Sequence, residues 1–186
     1  MRNLEEQITQ YAAYHRDRRN IATHFVGVPM IVFGVVLALA QILVGPVHLG
    51  WIGILVASVY FLILDRPLGI AMVVYLLVNV IVASVVAAKT SIGAGFGIAA
   101  VFFVVGWIIQ FIGHRFEGVK PAFTDDIMGL IIGPLFIVTE FFFILGARRE
   151  LKQYVEDRVG PVLAARDGAL IGPVVRSTNG NVGDSV

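Results

Sequence analysis

Three histidines stand at the ends of long apolar segments, and they are the residues of this chain best suited to catalytic chemistry. His15, His24 and His114 are three of only four histidines in 186 residues. Imidazole is the commonest metal ligand in proteins, and polar groups at membrane depth are costly to bury and usually functional. Because the chain has no cysteine, histidine, carboxylate or water must hold any metal, a ligand set that suits iron, manganese or zinc. The sequence therefore predicts a histidine-bound metal where membrane helices meet water.

The spacing of His15 and His24 requires a bend in the chain between them. On one straight helix, nine residues would place the two side chains on opposite faces, about 13 Å apart along the axis. Residues 17–20 predict a turn, since Asp and Asn favour turns and caps, and Asn20 is then expected to cap the first membrane helix. The alternative is two interfacial histidines that are hydrogen-bonded to water.

A second polar group follows helical spacing at the end of a later apolar segment. Gln110 and His114 are four residues apart and Glu117 is three further on, so all three share one face if the helix continues. Gln110 is expected to orient an imidazole, as hydrogen-bond partners of metal ligands commonly do. Glu117 is either a ligand or supporting group of the metal or, as its position favours, a solvated charge near Arg115 or Lys120.

Glu140 lies within an aromatic stretch, residues 139–143. A carboxylate in such surroundings needs a partner, which could be a histidine, an arginine or a metal. We therefore count Glu140 among the candidate catalytic residues, with an interfacial glutamate at a short helix end as the alternative. Thr124 or Asp125 is expected to cap the apolar segment that contains Glu140.

Composition indicates a membrane protein. Hydrophobic residues make up 58% of the chain, against about half in soluble proteins. A helix needs about 20 apolar residues to cross the hydrocarbon, so the second of five apolar segments is marginal in length. We predict an all-α integral membrane helical bundle with four to five transmembrane or membrane-embedded helices and an N-terminal interfacial helix. The apolar segments are 22–44, 47–64, 68–88, 92–113 and 127–146.

The chain is expected to form one membrane-embedded domain over residues 1–159, followed by a weakly ordered tail over residues 160–186 that is rich in Gly, Ser, Asn and Val. Asp65-Arg66-Pro67 predicts a turn with a local ion pair. A net charge of +1 gives no indication of a nucleic-acid partner.

The distribution of basic residues predicts the topology. Cytoplasmic loops carry excess Lys and Arg, and the segment before the first apolar run is rich in arginine, whereas the first connection has no charge. A chain with its N-terminus inside and four crossings places His15, His24 and His114 at the cytoplasmic face of a bacterial inner membrane or the endoplasmic reticulum. His48 then lies at the opposite face.

The fifth apolar segment conflicts with that topology. A full crossing would place Arg148 and Arg149 outside the cell. Gly133-Pro134 is expected to interrupt the segment, which would then dip into the membrane and return, or pack against the site as a broken helix.

Taken in order, these residues resemble a known family over about residues 8–155. Their pattern is similar to the 2-hydroxy fatty acid (2-hydroxypalmitate) dioxygenases, small multi-pass membrane proteins typified by a fungal enzyme and formerly catalogued as a domain of unknown function. The residues that carry the resemblance are Tyr14-His15, Asn20, His24, Pro29, Trp107, Gln110-Phe111, Gly113-His114, Phe116-Glu117, Pro121-Ala122, Pro134-Leu135-Phe136 and Glu140.

The resemblance implies an Fe(II)-dependent enzyme of fatty acid α-oxidation, which converts a 2-hydroxy fatty acid and O2 into the fatty acid one carbon shorter and CO2. In the fungal type this activity serves sphingolipid degradation. His15, His24 and His114 carry over as iron ligands, and Glu140 also matches the family pattern. After His114, the spacing to the Phe-Glu pair is one residue shorter than in the fungal type, which leaves the role of Glu117 open.

The residues themselves agree in kind with such an enzyme. Non-haem iron oxygenases often use two histidines and a carboxylate and leave positions open for substrate and O2. An acyl chain could enter between apolar helices from the bilayer, with its polar head at the interface. The candidates for holding the substrate carboxylate are Arg16, Arg19, Asn20 and Arg115. The alternatives are a proton- or ion-coupled transporter that uses Glu140 and the histidines, a zinc-dependent hydrolase with the same ligands, and a non-catalytic scaffold.

Overall fold

The computed structural model describes residues 3–118 and 128–164, and within them the chain is almost entirely helical. The expectation of an all-α bundle is confirmed. The cap expected at Thr124 or Asp125, the family match at Pro121-Ala122 and most of the expected tail, residues 165–186, lie outside the described residues. The helices are α1 (Leu4–Ala12), α2 (Arg18–Ala40), α3 (Leu49–Leu64), α4 (Arg66–Lys89), α5 (Ile92–Glu117), α6 (Gly129–Ile144) and α7 (Arg149–Val159).

Three of these helices, α2, α4 and α5, are long and apolar enough to cross a membrane. Helix α3 has 16 residues and is shorter than a typical span, as its sequence predicts. Soluble proteins rarely expose a continuous apolar surface of this size, so the bundle is a membrane protein. The outer faces of α4 and α5 expose Val74, Val78, Ile81, Val85, Val101, Val104 and Ile108.

Helix α2 occupies the centre of the bundle, where it packs against α3, α4, α5 and α6. Glycines on facing helices let α5 approach it closely: a Cβ atom added to Gly27 would lie 2.9 Å from the carbonyl oxygen of Gly106. That distance is shorter than van der Waals contact, so a side chain at either position would push the helices apart. The close approach brings His24 on α2 next to His114 on α5.

The segment before α2 forms a short helix and then a turn. Asn3 and Glu6 cap α1 reciprocally, and its apolar stripe, which includes Leu4, Ile8 and Tyr11, is buried. Helix α1 therefore packs on its neighbours α6 and α7 and does not expose this stripe to a membrane surface.

The bend expected between His15 and His24 is confirmed, but the cap is a different residue. The side chain of Asp17 caps α2 by accepting a hydrogen bond from the backbone N–H of Arg19 at 2.8 Å. The prediction that Asn20 is the cap is wrong, because Asn20 already lies in the first turn of α2, where its amide reaches Glu117.

The connections between the spans follow the sequence signals with one exception. Gly45, at φ 63°, turns a hairpin between β1 (Leu43–Val44) and β2 (Val47–His48). Asp65 caps α4 by accepting from the N–H of Leu68 at 2.9 Å. Its ion pair is not local as expected, because it joins Arg148, 83 residues away, at 2.8 Å.

The fifth apolar segment is not interrupted at Gly133-Pro134 as expected, since α6 continues through both residues. The missing N–H of Pro134 removes the hydrogen bond to the carbonyl of Leu130 near the beginning of the helix. The chain bends by 112° between α6 and α7, where Gly146 and Arg148 both have positive φ. The two helices form either a broken span or a re-entrant element, and α6 packs against His15 through Phe136.

Candidate metal centre

The three histidines predicted to bind a metal meet at one point of the bundle. Their ring centroids lie 4.4 Å apart for His15 and His24, and 5.0 Å apart for each pair that includes His114. All three are buried, and one nitrogen of each lies within 4.8 Å of the other two. Helix α5, which continues through Glu117, contributes His114, whereas α2 and the turn before it contribute the other two.

Backbone carbonyls fix the orientation of two of the rings. His15 Nδ1 donates to the carbonyl of Tyr11 at 2.8 Å, and His24 Nδ1 donates to the carbonyl of Asn20 at 2.9 Å. A carbonyl oxygen only accepts, so Nδ1 carries the proton and Nε2 carries a lone pair. Metal-bound histidines are held in this way by a hydrogen bond from their other nitrogen.

The two Nε2 atoms, from His15 and His24, lie 3.0 Å apart. Two lone pairs that face each other at this distance repel unless a cation or a proton lies between them. The donor set therefore fits a metal ion, and the buried histidine triad could hold one. The three histidines named from the sequence are therefore the ones that the structure brings together.

The surroundings of His15 favour its neutral form. Burial lowers the pKa of His15 well below its ordinary value, and the neighbouring His24 and His114 lower it further. A neutral imidazole is the form that binds a metal. The ring of Tyr11 stacks on His15 with centroids 4.3 Å apart. Sequence reasoning did not include Tyr11 in the site, although the four-residue spacing of Tyr11 and His15 on one helical stripe was a usable signal.

Glu117 secures the turn that carries His15. Its side chain is only 2% exposed, and its carboxylate accepts from the backbone N–H of Arg16 and of Asp17, both at 2.8 Å, and from the amide of Asn20 at 3.0 Å. The interpretation of Glu117 as a solvated charge is wrong. It is not part of the metal-binding group, but it ties the end of α5 to the turn, and so supports the site through the backbone.

Arg16 and Glu140 form a buried ion pair beside the same turn. The guanidinium of Arg16 donates from Nε to the carbonyls of Ala12 and His15, both at 2.9 Å, and from Nη1 to that of Gly160 at 3.1 Å. Its Nη2 lies 3.6 Å from the carboxylate of Glu140. Of the three partners left open for Glu140, the structure provides the arginine. Both side chains thus link α6 to the turn, and their roles toward substrate stay predictions.

The other candidates for substrate binding lie at the edge of the site. Arg19 pairs with Asp17 at 2.7 Å and lies over the ring of Phe116. Arg115 is exposed. Their contact with a substrate stays a prediction, as does that of Asn20.

A small cavity of about 60 Å³ adjoins the histidines. Gln110 lines it and is buried, but its Oε1 has no hydrogen-bond partner within residues 3–118 and 128–164. The expectation that Gln110 orients an imidazole stays a prediction. The lining residues are Tyr11, His24, Val28, Ile31, Val32, Trp107, Gln110, His114, Gly129, Leu130, Gly133 and Pro134.

His48 takes no part in the site. Its Nε2 is 2.8 Å from Oγ of Ser84, and it is the last residue of the hairpin at the far end of α2. The separation of three histidines from the fourth, inferred from topology, agrees with this placement.

Comparison with known proteins places this arrangement in a family. The family model described as 2-hydroxy-palmitic acid dioxygenase Mpo1-like matches residues 1–145. The chain belongs to the Mpo1-like family. The 2-hydroxy-palmitic acid dioxygenase MPO1 of Saccharomyces cerevisiae is 30% identical over 158 residues, which cover 83% of this chain and 88% of the yeast protein. No solved structure matches. These matches confirm the resemblance read from the sequence. The Mpo1-like region contains all three histidines.

Proposed function

We propose that this Mpo1-like protein is a non-haem Fe(II) dioxygenase of fatty acid α-oxidation. Its substrates are a 2-hydroxy fatty acid and O2, and its products are the fatty acid one carbon shorter, CO2 and water. The bond between C1 and C2 breaks, C2 is oxidised from an alcohol to a carboxylic acid, and O2 is reduced. The observation that carries the proposal is the convergence of His15, His24 and His114, with two fixed lone pairs 3.0 Å apart, inside the family region.

Iron would be held by the same three histidines. When bound, it would supply the redox chemistry that the protein's own side chains cannot provide. A set of three protein ligands leaves positions for other ligands, and a 2-hydroxy acid carries two oxygens suited to chelation. The protein's contribution is to orient the imidazoles and to exclude bulk water from the buried site.

An apolar path for the acyl chain adjoins the histidines. Beyond the cavity that contains His24 and His114, a second cavity of about 210 Å³ shares Val28 and Pro134 with it. Apolar residues from α2, α4 and α6 predominate in its lining. Because the two cavities are neighbours, they support an acyl chain that lies between the helices, with its carboxyl end toward the metal. The residues of the second cavity are Phe25, Val28, Pro29, Tyr75, Pro134, Ile137, Val138 and Phe141.

Turnover and metal content together test the function. Anaerobically purified protein is expected to contain about one iron per chain. With 2-hydroxypalmitate and O2 it should form pentadecanoic acid and CO2 in equal amounts, and consume one O2 for each molecule of product. Bound zinc with no O2 uptake would contradict the proposal and favour a hydrolase. Flux of protons or ions in liposomes without O2 uptake would favour a transporter.

The proposed topology places the metal site at the cytoplasmic face of a bacterial inner membrane or the endoplasmic reticulum. It is supported by the basic residues beside the site, among which Arg18, Arg19 and Arg115 are exposed. Because the chain has no cysteine, single cysteines report the topology directly. Leu43→Cys in the hairpin should react with a membrane-impermeant maleimide from outside intact bacterial cells, and Arg18→Cys only after permeabilisation. The reverse pattern would contradict this orientation.

A further inference from the structure

Gln110 presents a buried hydrogen-bond acceptor that the described protein does not use. Its side chain is 4% exposed, and its Oε1 has no hydrogen-bond partner in the described part of the chain. Leaving a buried carbonyl-type oxygen unpaired costs free energy, and native structures rarely tolerate it without a reason. Here the same residue lines the cavity that contains His24 and His114, so the hydrogen-bond partner of this oxygen is a group that occupies the cavity.

The packing of α2 against α5 holds this amide in place. A Cβ atom added to Gly27 would lie 3.2 Å from Nε2 and 3.3 Å from Cγ of Gln110. The side chain therefore packs against the backbone of α2. An acceptor fixed before the ligand arrives loses little conformational entropy on binding, which is the general basis of selective recognition by a preorganised site.

The chemistry of the acceptor identifies the group that it can bind. An amide oxygen needs a donor. At neutral pH the carboxyl group of a fatty acid is ionised and has no proton to donate, whereas an alcohol on C2 has one. An unsubstituted fatty acid would enter the cavity and leave the oxygen of Gln110 unpaired.

We infer that Gln110 accepts a hydrogen bond from the 2-hydroxyl group of the substrate, and so selects 2-hydroxy fatty acids over unsubstituted ones. The inference rests on the proposed function, and it assigns substrate selection to a residue outside the metal-binding triad. Sites built to bond a substrate hydroxyl discriminate strongly against the analogue that lacks it, because their buried polar group is then left unpaired.

Ligand binding without O2 tests the inference, because no turnover then occurs. The dissociation constants of 2-hydroxypalmitate and palmitate are measured for the iron-loaded wild-type protein and for Gln110→Leu, which has a similar volume and no acceptor. The preference for the hydroxylated acid should fall by about tenfold or more with bound iron unchanged. Gln41→Leu is the matched control, because Gln41 follows α2 at the far end and already donates to the carbonyl of Leu37. The preference of this variant for the hydroxylated acid should equal that of the wild type.

Three other outcomes overturn the inference. If Gln110→Leu keeps the wild-type preference and its iron, Gln110 does not bind the hydroxyl, and the proposed function is unaffected. If Gln110→Leu and Gln110→Met, which is unbranched like glutamine, both lose iron, Gln110 supports the metal and not the substrate. If the iron-loaded wild type itself shows no preference for 2-hydroxypalmitate, the proposed substrate fails together with the inference.

Discussion

Histidines lie near both ends of α2, and the two ends use them differently. Near the first end, His15 and His24 donate from Nδ1 to backbone carbonyls and bring their Nε2 atoms to 3.0 Å from each other. Near the second end, His48 contacts the hydroxyl of Ser84 and joins no metal-binding group among the described residues. The first arrangement directs lone pairs toward a shared point, and the second places one imidazole in an ordinary side-chain contact.

The contrast extends to what holds each end together. The hairpin that ends at His48 is local, with strands joined by a tight turn at Gly45. The turn before α2 is held by Glu117, about 100 residues away, and by backbone hydrogen bonds between Leu163 and the residues Arg16 and Arg18. A metal site needs ligands fixed to within a fraction of an ångström. Long-range contacts at the first end provide that fixation by joining separate helices.

Removing a triad histidine should have the largest effect, because it removes a ligand at the end of α2 that is proposed to bind the metal. His24→Ala and His114→Ala are each expected to reduce bound iron and 2-hydroxypalmitate turnover to background, because two remaining imidazoles in a buried site no longer complete the ligand set. His48→Ala should keep both properties. Iron per chain and oxygen uptake on purified protein provide the measurement. Wild-type iron content in His24→Ala would show that the triad does not hold the metal.

Neutralising the carboxylate that secures the turn should come next. In Glu117→Gln, one oxygen that accepts from the turn is replaced by an NH2 group, which faces donors and cannot accept. We expect iron affinity to fall about 10- to 100-fold, as for other groups that support metal ligands indirectly, while 2-hydroxypalmitate remains a substrate at saturating iron. Competition with a chelator measures the affinity. Glu150→Gln, at an exposed carboxylate, should leave the iron affinity unchanged. An equal loss of affinity in Glu150→Gln would show that the effect of Glu117→Gln comes from the change in net charge and not from the turn.

Separating α2 from α5 should weaken the site by another route. In Gly27→Ala the new methyl group would meet the carbonyl oxygen of Gly106 at 2.9 Å, so the helices must move apart. Such overpacking typically costs about 1–3 kcal/mol of stability, and it shifts His24 relative to His114. Thermal unfolding in detergent and iron affinity should both decline.

Gly97→Ala, on α5, is the matched control for that substitution. A Cβ atom at Gly97 meets nothing within 4 Å, and alanine favours a helix more than glycine does. Its stability should match or exceed that of the wild type. If Gly27→Ala behaves like Gly97→Ala, the close approach of the two helices does not position the histidines.

Sequence patterns were sufficient for the parts of the molecule that depend on local spacing. The apolar segments predicted the three helices that are long and apolar enough to cross a membrane, and the distribution of polar residues predicted that His15, His24 and His114 converge. Helical periodicity also predicted that Gln110 and Glu117 share a face with His114. These features follow from residue type and a fixed helical repeat, which a single sequence contains.

The remaining features depend on contacts between distant residues, which spacing does not encode. The partners of Glu117 are backbone N–H groups about 100 residues away, and Asp65 pairs with Arg148 and not with its neighbour. Asp17 and Asn20 have similar capping preferences, so the choice between them was decided by the tertiary contact of Asn20 with Glu117.

The smallest expected effect concerns the binding of the acyl chain. It tests whether the dependence of KM on substrate chain length can change while bound iron does not. Val138→Phe places a larger side chain in the cavity of about 210 Å³ that shares Val28 and Pro134 with the metal-side cavity, and so reduces the volume of that cavity. Each methylene that loses burial costs about 0.8 kcal/mol, so displacing two of them should raise the KM for long 2-hydroxy acids about tenfold. Short 2-hydroxy acids, which do not reach the cavity, should be unaffected, and bound iron should stay at the wild-type level.

Val74→Phe provides the control for that substitution, because Val74 is 57% exposed on the outer face of α4, where lipid accommodates the larger ring. Its chain-length profile should match that of the wild type. Since the two variants add the same side chain, a shift confined to Val138→Phe would come from the cavity and not from bulk at the lipid surface. An unchanged profile in Val138→Phe would place the acyl chain elsewhere, while the metal site at the first end of α2 would stand on its own evidence.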